Sequence, residues 1–331
     1  MQVDKILQIL PESIGKPIKK LCEKGNDGIK ELEEIRIRTN RPVLVKKTNL
    51  LFYLHQDGSL QKLGLPVSEA IYPSKEEMEQ ILLKASRFSV YAAEEQIRQG
   101  YLTIQGGHRI GICGEVIFRD GKIQGIRKVS SYNVRIAKEV GGCARLVYPL
   151  LWDQDQFLDT LIVSPVGLGK TTLLRDLIRL LSNGDNTYLP QTVGLADERG
   201  EVAACIDGVP QFDVGQNTDI LDGGSKTQTM PMLLRTMAPQ ILAADEAGGS
   251  GDVQIFEQAK KWGVALLTTA HGTINGHLFD TDTSKMQFDR YIEIVLDKDN
   301  QRSFRIFNKE RQLIKAITKN DHRCRDENGN R

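Results

Sequence analysis

Residues 164–172 read Ser164-Pro165-Val166-Gly167-Leu168-Gly169-Lys170-Thr171-Thr172, between the apolar run Leu161-Ile162-Val163 and the amphipathic stretch from Leu173 to Leu181. Small residues at this spacing let consecutive backbone N–H groups turn onto phosphate oxygens. A helix starting near Gly169 points its positive dipole end at the same anion. In such a loop Lys170 reaches the β- and γ-phosphates as a point charge, and the Thr171 hydroxyl takes one position on magnesium. The pattern predicts a strand, a phosphate loop and a helix that bind ATP with Mg2+. The first motif position, ordinarily glycine, is Ser164; its Cβ would be strained in a left-handed turn but accommodated at a strand end.

Three further apolar runs end in polar residues, as parallel strands do where they leave a sheet beside a nucleotide. Ile241-Leu242-Ala243-Ala244 runs into Asp245-Glu246. There Asp245 would hold the magnesium through water, and Glu246 would orient or deprotonate the attacking water. The alternative is an acidic pair at a helix N-terminus that does no chemistry. Val264 to Thr269 runs into Ala270-His271-Gly272, a position that suits His271 as a γ-phosphate sensor, with an ordinary surface or core histidine as the alternative. Val193 to Ala196 enters the charged cluster Asp197-Glu198-Arg199-Gly200-Glu201. Arg235 lies on an expected helix from Met230 to Met237 that Pro239 terminates. Arg199 or Arg235 could stabilise transition-state charge, with surface salt bridges as their alternative; Glu198 is a further candidate at the same edge.

The ordered series Ser164 to Thr172, Asp197-Glu198-Arg199, Gly208-Val209-Pro210-Gln211, Asp213-Val214-Gly215, Asp219 to Gly223, Arg235, Asp245-Glu246 and Thr269 to Gly272 resembles the stage III sporulation protein AA family. The likeness extends to Leu32 to Arg38, Gly106 to Gly111 and Ser130 to Ala137, and so covers nearly the whole chain. The resemblance implies kinship with the secretion-type ATPases of bacterial export systems. It further implies a homo-oligomeric, hexameric ring working with integral membrane proteins in endospore formation, whose first domain helps build the ring. One departure follows the carboxylates: Gly249 stands where the family places an arginine.

Composition bounds the reading independently. A chain of 331 residues is long enough for two domains with separate cores. A formal charge of +1 carries no polyanion-binding signature, and no aromatic platform accompanies Arg127-Lys128 and Arg135, so nucleic acid is not an expected partner. The five cysteines, Cys22, Cys113, Cys143, Cys205 and Cys324, lack CxxC spacing, which disfavours zinc and a disulfide framework. No apolar stretch approaches the roughly 18 residues of a membrane span, and the N-terminus lacks a signal-peptide core. The expected protein is soluble, cytoplasmic and peripheral to a membrane through partners.

The expected architecture is α/β: an N-terminal α+β domain over 1–140, a phosphate-loop ATPase domain with a parallel sheet over 141–319, and a polar tail over 320–331. In the first domain the periodicity predicts helices over 3–24 broken at Pro11, and a solvent-facing strand over Glu34 to Val45. A capping-box helix runs from Ser74 to Ser86, and strands run over Tyr101 to Ile104, His108 to Cys113, Val116 to Phe118 and Val134 to Ala137. Gly106-Gly107-His108-Arg109 reads as a hairpin turn or a binding loop, and Lys138 to Asp155 as the passage between domains. The function this predicts is a Mg-ATPase that converts hydrolysis into subunit motion. A nucleic-acid-stimulated motor and a nucleotide-binding scaffold with little hydrolysis are the alternatives.

Overall fold

The computed structural model describes residues 2–23, 32–48, 50–64, 69–87, 89, 93–119, 121–138, 141–248, 250–274, 286–297 and 301–318. Gly249, Cys324 and the polar tail over 320–331 lie outside the described residues. The chain divides into two compact units, Met1–Lys138 and Glu139–Arg331.

In the first unit, helices α1 (Gln2–Ile9) and α2 (Glu12–Glu23) precede strands β1 (Leu32–Arg38), β2 (Arg41–Lys47), β3 (Leu50–Leu54) and β4 (Leu60–Lys62). Helices α3 (Lys75–Ala85) and α4 (Glu94–Arg98) follow, then β5 (Tyr101–Ile104), β6 (His108–Arg119) and β7 (Lys122–Arg135). One seven-stranded sheet results, ordered β4-β3-β2-β1-β7-β6-β5. The capping box forms as written in the sequence: Ser74 accepts from the Glu77 N–H, and the Glu77 side chain accepts from the Ser74 N–H. The single solvent-facing strand expected over Glu34 to Val45 is instead a hairpin. Asn40, at φ 53°, reverses the chain between β1 and β2, and β1 lies inside the sheet with Leu32, Ile35 and Ile37 fully buried. The two strands expected over His108 to Phe118 are one, paired along its length with β7. At Gly106-Gly107 both φ values are positive, and His108 is buried with Nδ1 accepting the Ala137 N–H at 3.0 Å. The segment is therefore a hairpin turn with a histidine packed under it. Arg127 and Lys128 form ion pairs with Glu115 across the ribbon at 2.6 and 2.9 Å.

In the second unit a 3-10 turn (Tyr148–Leu151) and the small hairpin β8 (Trp152–Asp153) and β9 (Gln156–Phe157) lead into β10 (Thr160–Ser164) and α5 (Lys170–Asn183). Then come β11 (Val193–Asp197), β12 (Thr218–Asp222), α6 (Lys226–Thr236), β13 (Ile241–Ala244), α7 (Ser250–Lys261) and β14 (Ala265–His271). Strands β15 (Arg290–Leu296), β16 (Arg302–Phe307) and β17 (Leu313–Ile317) complete an eight-stranded sheet ordered β12-β11-β13-β14-β10-β15-β16-β17. From β12 to β15 every pairing is parallel, and β16 and β17 add antiparallel at one edge.

Strands β10, β11 and β13 are buried at every residue, as expected when helices cover both faces. Ile162, Ala243 and Leu267 pack with Leu173, Leu174 and Leu177 of α5 on one face. Leu161, Leu242 and Leu266 pack with Leu233 of α6 and Phe256 of α7 on the other. Helix α6 starts earlier than Met230, at Lys226, and contains Pro231. The segment after Lys138 does not behave as a linker where it is described. Ala144, Val147, Tyr148, Leu151 and Trp152 are core residues, and Trp152 stacks on Tyr188 with ring centroids 4.3 Å apart.

Asp176 of α5 ties this segment down. It is 2% exposed and accepts the Ala144 N–H at 2.7 Å and Arg179 Nη2 at 2.7 Å. Burial alone would raise its pKa, but these hydrogen bonds hold the carboxyl below its ordinary value. Asp176→Asn should cost about 2 kcal/mol of stability near neutral pH, the loss expected for charge-assisted bonds in a buried site. Because the folded-state pKa is depressed, the wild-type advantage is present above the ordinary carboxylate value of about 4 and disappears as pH falls through the lower folded value. Thermal melts of both proteins across that range measure the difference.

Candidate functional site

Strands β11, β13, β14 and β10 are neighbours and run in the same direction, so their carboxyl ends deliver Asp197, Asp245, His271 and Ser164 to one edge of the sheet. Ser164 is paired with His271 in register, and Ala244 with Thr268. Ser164 lies outside the left-handed region and is fully buried, with its hydroxyl donating to the Pro165 carbonyl at 2.8 Å. The strand continues through the first motif position, so no glycine is required there. The left-handed turns fall on Gly167, at φ 83°, and on Gly169, at φ 98° and the N-cap of α5. Gly169 supplies no side-chain cap, leaving the first-turn N–H groups of α5 directed at the space the loop encloses. Val166 projects outward, 81% exposed.

Lys170 is buried, and its Nζ donates to the carbonyl of Ser164 at 2.9 Å and approaches His271 Nδ1 at 2.9 Å. Burial pushes the ammonium below the ordinary lysine value, opposed by the charges of Asp245 and Glu246. Since Nδ1 accepts from a cation, the imidazole proton is assigned to Nε2, which donates to Glu246 Oε1 at 3.0 Å. Arg199 Nη1 stands 2.8 Å from Glu246 Oε2. The chain of contacts Lys170, His271, Glu246 and Arg199 thus crosses the mouth of the phosphate loop. Beside it, the Thr171 hydroxyl donates to Asp245 Oδ2 at 2.7 Å, and Thr269 donates to Asp245 Oδ1.

Asp197 plays a different part from its neighbours. It is 1% exposed, burial raises its pKa, and it accepts main-chain N–H groups of Glu201, Val202 and Ala203. These bonds close the loop that carries Glu198 and Arg199. Arg175 of α5 holds the same loop from behind, donating to the carbonyls of Val202 and Glu201 at 2.6 Å each, with its guanidinium over the Phe212 ring. Glu198 lies 3.8 Å from Lys226 of α6. Arg235 is not drawn into the cluster; it is exposed, and its Nε donates to the Pro231 carbonyl of its own helix. A cavity of about 220 Å³ opens between these groups, lined by Asp197, Glu198, Arg199, Lys226, Asp245 and Glu246. No sequence pattern flagged Lys226, because its contacts come from a helix remote in sequence from the carboxylates it meets.

Among the described residues no three His, Cys, Asp or Glu side chains gather as a metal cage. The Thr171 hydroxyl and the Asp245 carboxylate nevertheless form an adjacent pair of hard oxygen donors, which suits a magnesium ion that keeps waters and phosphate oxygens in its remaining positions. The glycine turns and uncapped helix end beside Lys170 suit a phosphate chain.

The family model for sporulation stage III, protein AA, matches residues 2–314 of this chain. Stage III sporulation protein AA of Bacillus subtilis (strain 168) is 36% identical over 321 residues, covering 96% of this chain and 98% of that protein. A ycf45 protein of Porphyra purpurea is 26% identical over 156 residues, 46% of this chain and 25% of that protein. In three dimensions the chain is similar to the pilus retraction motor PilT solved with bound ADP. The TM-score is 0.55 at 13% identity, over 98% of this chain and 86% of that one, an agreement in fold. A match along almost the whole length of both sequences makes this chain a member of the stage III sporulation protein AA family.

Proposed function

We propose that the protein is a Mg-dependent ATPase whose turnover drives subunit motion in a homo-oligomeric, hexameric ring. The ring would be cytoplasmic and held at the membrane by integral membrane proteins of a sporulation or secretion complex. The observation that carries the reading is the convergence of Lys170, Thr171, Asp245, Glu246 and His271 around one loop, with Lys170 Nζ to His271 Nδ1 at 2.9 Å and Thr171 Oγ1 to Asp245 Oδ2 at 2.7 Å. The solved PilT, similar in fold, is a retraction motor with bound ADP, which supports an adenine nucleotide here. The family description supports the sporulation setting.

In this mechanism residues 164–172 wrap the phosphate chain, main-chain N–H groups and the α5 dipole bind its oxygens, and Lys170 adds a point charge. Thr171 and Asp245 would hold magnesium, which when bound neutralises charge on the β- and γ-phosphate oxygens. Glu246 accepts the proton of the attacking water. Arg199 and the Nε2–H of His271 hold its two oxygens in place, and His271 couples that orientation to Lys170. Arg235, exposed on α6, is available to a nucleotide in an adjacent subunit rather than to its own.

Phosphate release by purified protein tests the proposal. Lys170→Ala should lose both turnover and nucleotide-induced stabilisation. In the wild type, ADP with magnesium at about a hundred times its Kd should add about 2.7 kcal/mol to unfolding. Glu246→Gln should retain that stabilisation while kcat falls by about 10²- to 10⁴-fold. Activity surviving in Lys170→Ala would remove the site assignment. Turnover per subunit should rise with protein concentration if a ring is the working form, measured alongside sedimentation over the same range.

A further inference from the structure

Lys226 stands in the first turn of α6, immediately after the N-cap Ser225. A cation there opposes the helix dipole, and its side chain is only 12% exposed, so neither local preference nor hydration accounts for it. Its Nζ donates to the main-chain carbonyl of Asp245 at 3.0 Å and to that of Glu246. The carboxylates of Glu198 and Asp252 lie 3.8 and 3.9 Å away. Glu246 sits at φ 54°, a left-handed conformation that a residue with a Cβ keeps only where its surroundings hold it. Here one ammonium meets the carbonyls on both sides of that left-handed residue's φ and ψ bonds. The N–H side of the turn is held separately. Glu246 N–H donates to Thr269 Oγ1 at 2.9 Å, and Gly248 N–H donates to Asp252 Oδ2 at 3.0 Å.

We propose that Lys226 is the positioning residue of the carboxylate turn, setting the backbone from which Asp245 reaches the magnesium position and Glu246 reaches the water. It acts through main-chain carbonyls and through Asp252, which itself secures Gly248. This inference rests on the roles proposed above for Asp245 and Glu246.

Lys226→Met keeps the apolar stem and removes charge and donors. The expected result is a fall in kcat of about 10²-fold, the scale of a misplacement of about 1 Å, with KM and the affinity for a fluorescent ADP analogue nearly unchanged. The magnesium concentration that half-saturates the tightening of analogue binding should rise, a readout that a purely structural role would leave alone. Lys226→Arg, which retains charge and donors, should recover most of the lost turnover. Should Lys226→Met fail to fold, Lys226→Gln, with two donors and no charge, takes its place under the same measurements.

Wild-type kcat and wild-type magnesium dependence in the variant overturn the inference. Glu246→Gln run in parallel separates the two claims. Turnover kept there overturns the base assignment, whereas turnover lost there beside an unaltered Lys226→Met overturns the positioning role alone. If wild-type turnover is too slow to follow, the magnesium dependence of analogue binding decides by itself.

Discussion

The in-register parallel alignment of β10, β13 and β14 is the constraint from which the site follows. Parallel strands finish at the same edge, so residues at three separate places in the sequence are delivered to one plane, Ser164 beside His271 and Ala244 beside Thr268. Because the strands are buried on both faces, their positions are fixed by close packing rather than by the charged groups they present. A slip of one residue in β14 would turn Leu266, Leu267, Thr268 and Thr269 to the opposite layers and would separate His271 from Ser164. The polar cluster therefore sits on a rigid base, and its strained or desolvated members, the buried ammonium of Lys170 and the left-handed Glu246, can persist.

The legible parts of the sequence were those in which one local rule decides the outcome. An apolar run that stops at a carboxylate or histidine marks a strand end, as it did for β13 before Asp245-Glu246 and β14 at His271, while the glycine and lysine spacing after Val163 marked the end of β10 and singled out Lys170. The Ser74 and Glu77 capping box was equally plain, since its partners lie within one turn. What escaped was mostly set at long range, with one local exception. The reversal at Asn40 depends on a left-handed asparagine inside an otherwise continuous strand pattern. The last three strands, β15, β16 and β17, gain their identity from pairing onto β10 and onto one another. Tyr148 and Trp152 looked like a connection because their packing partner, Tyr188, comes much later in the chain. The grouping of Lys226 with Asp245 and Glu246 has the same origin.

The first unit is built on a different principle. Its sheet is held by alternating burial in β1, β5 and β6, and Tyr132 pins β7 to α3 by donating to the Met78 carbonyl at 2.9 Å. Some of its cations are engaged with nearby carboxylates, Lys46 with Glu33 and Arg127 with Glu115 among them. No helix among the described residues of either unit is long and apolar enough to cross a membrane.

The double attachment of α5 has a mechanical corollary. The helix that opens with Lys170 and Thr171 also grips, through Arg175, the loop bearing Glu198 and Arg199. Axial sliding or tilting of that one rod would drag the arginine and the phosphate grip together. A displacement imposed on the loop at Gly169 and Lys170 would thus reach the loop bearing Arg199 through the helix itself, with no hinge between them.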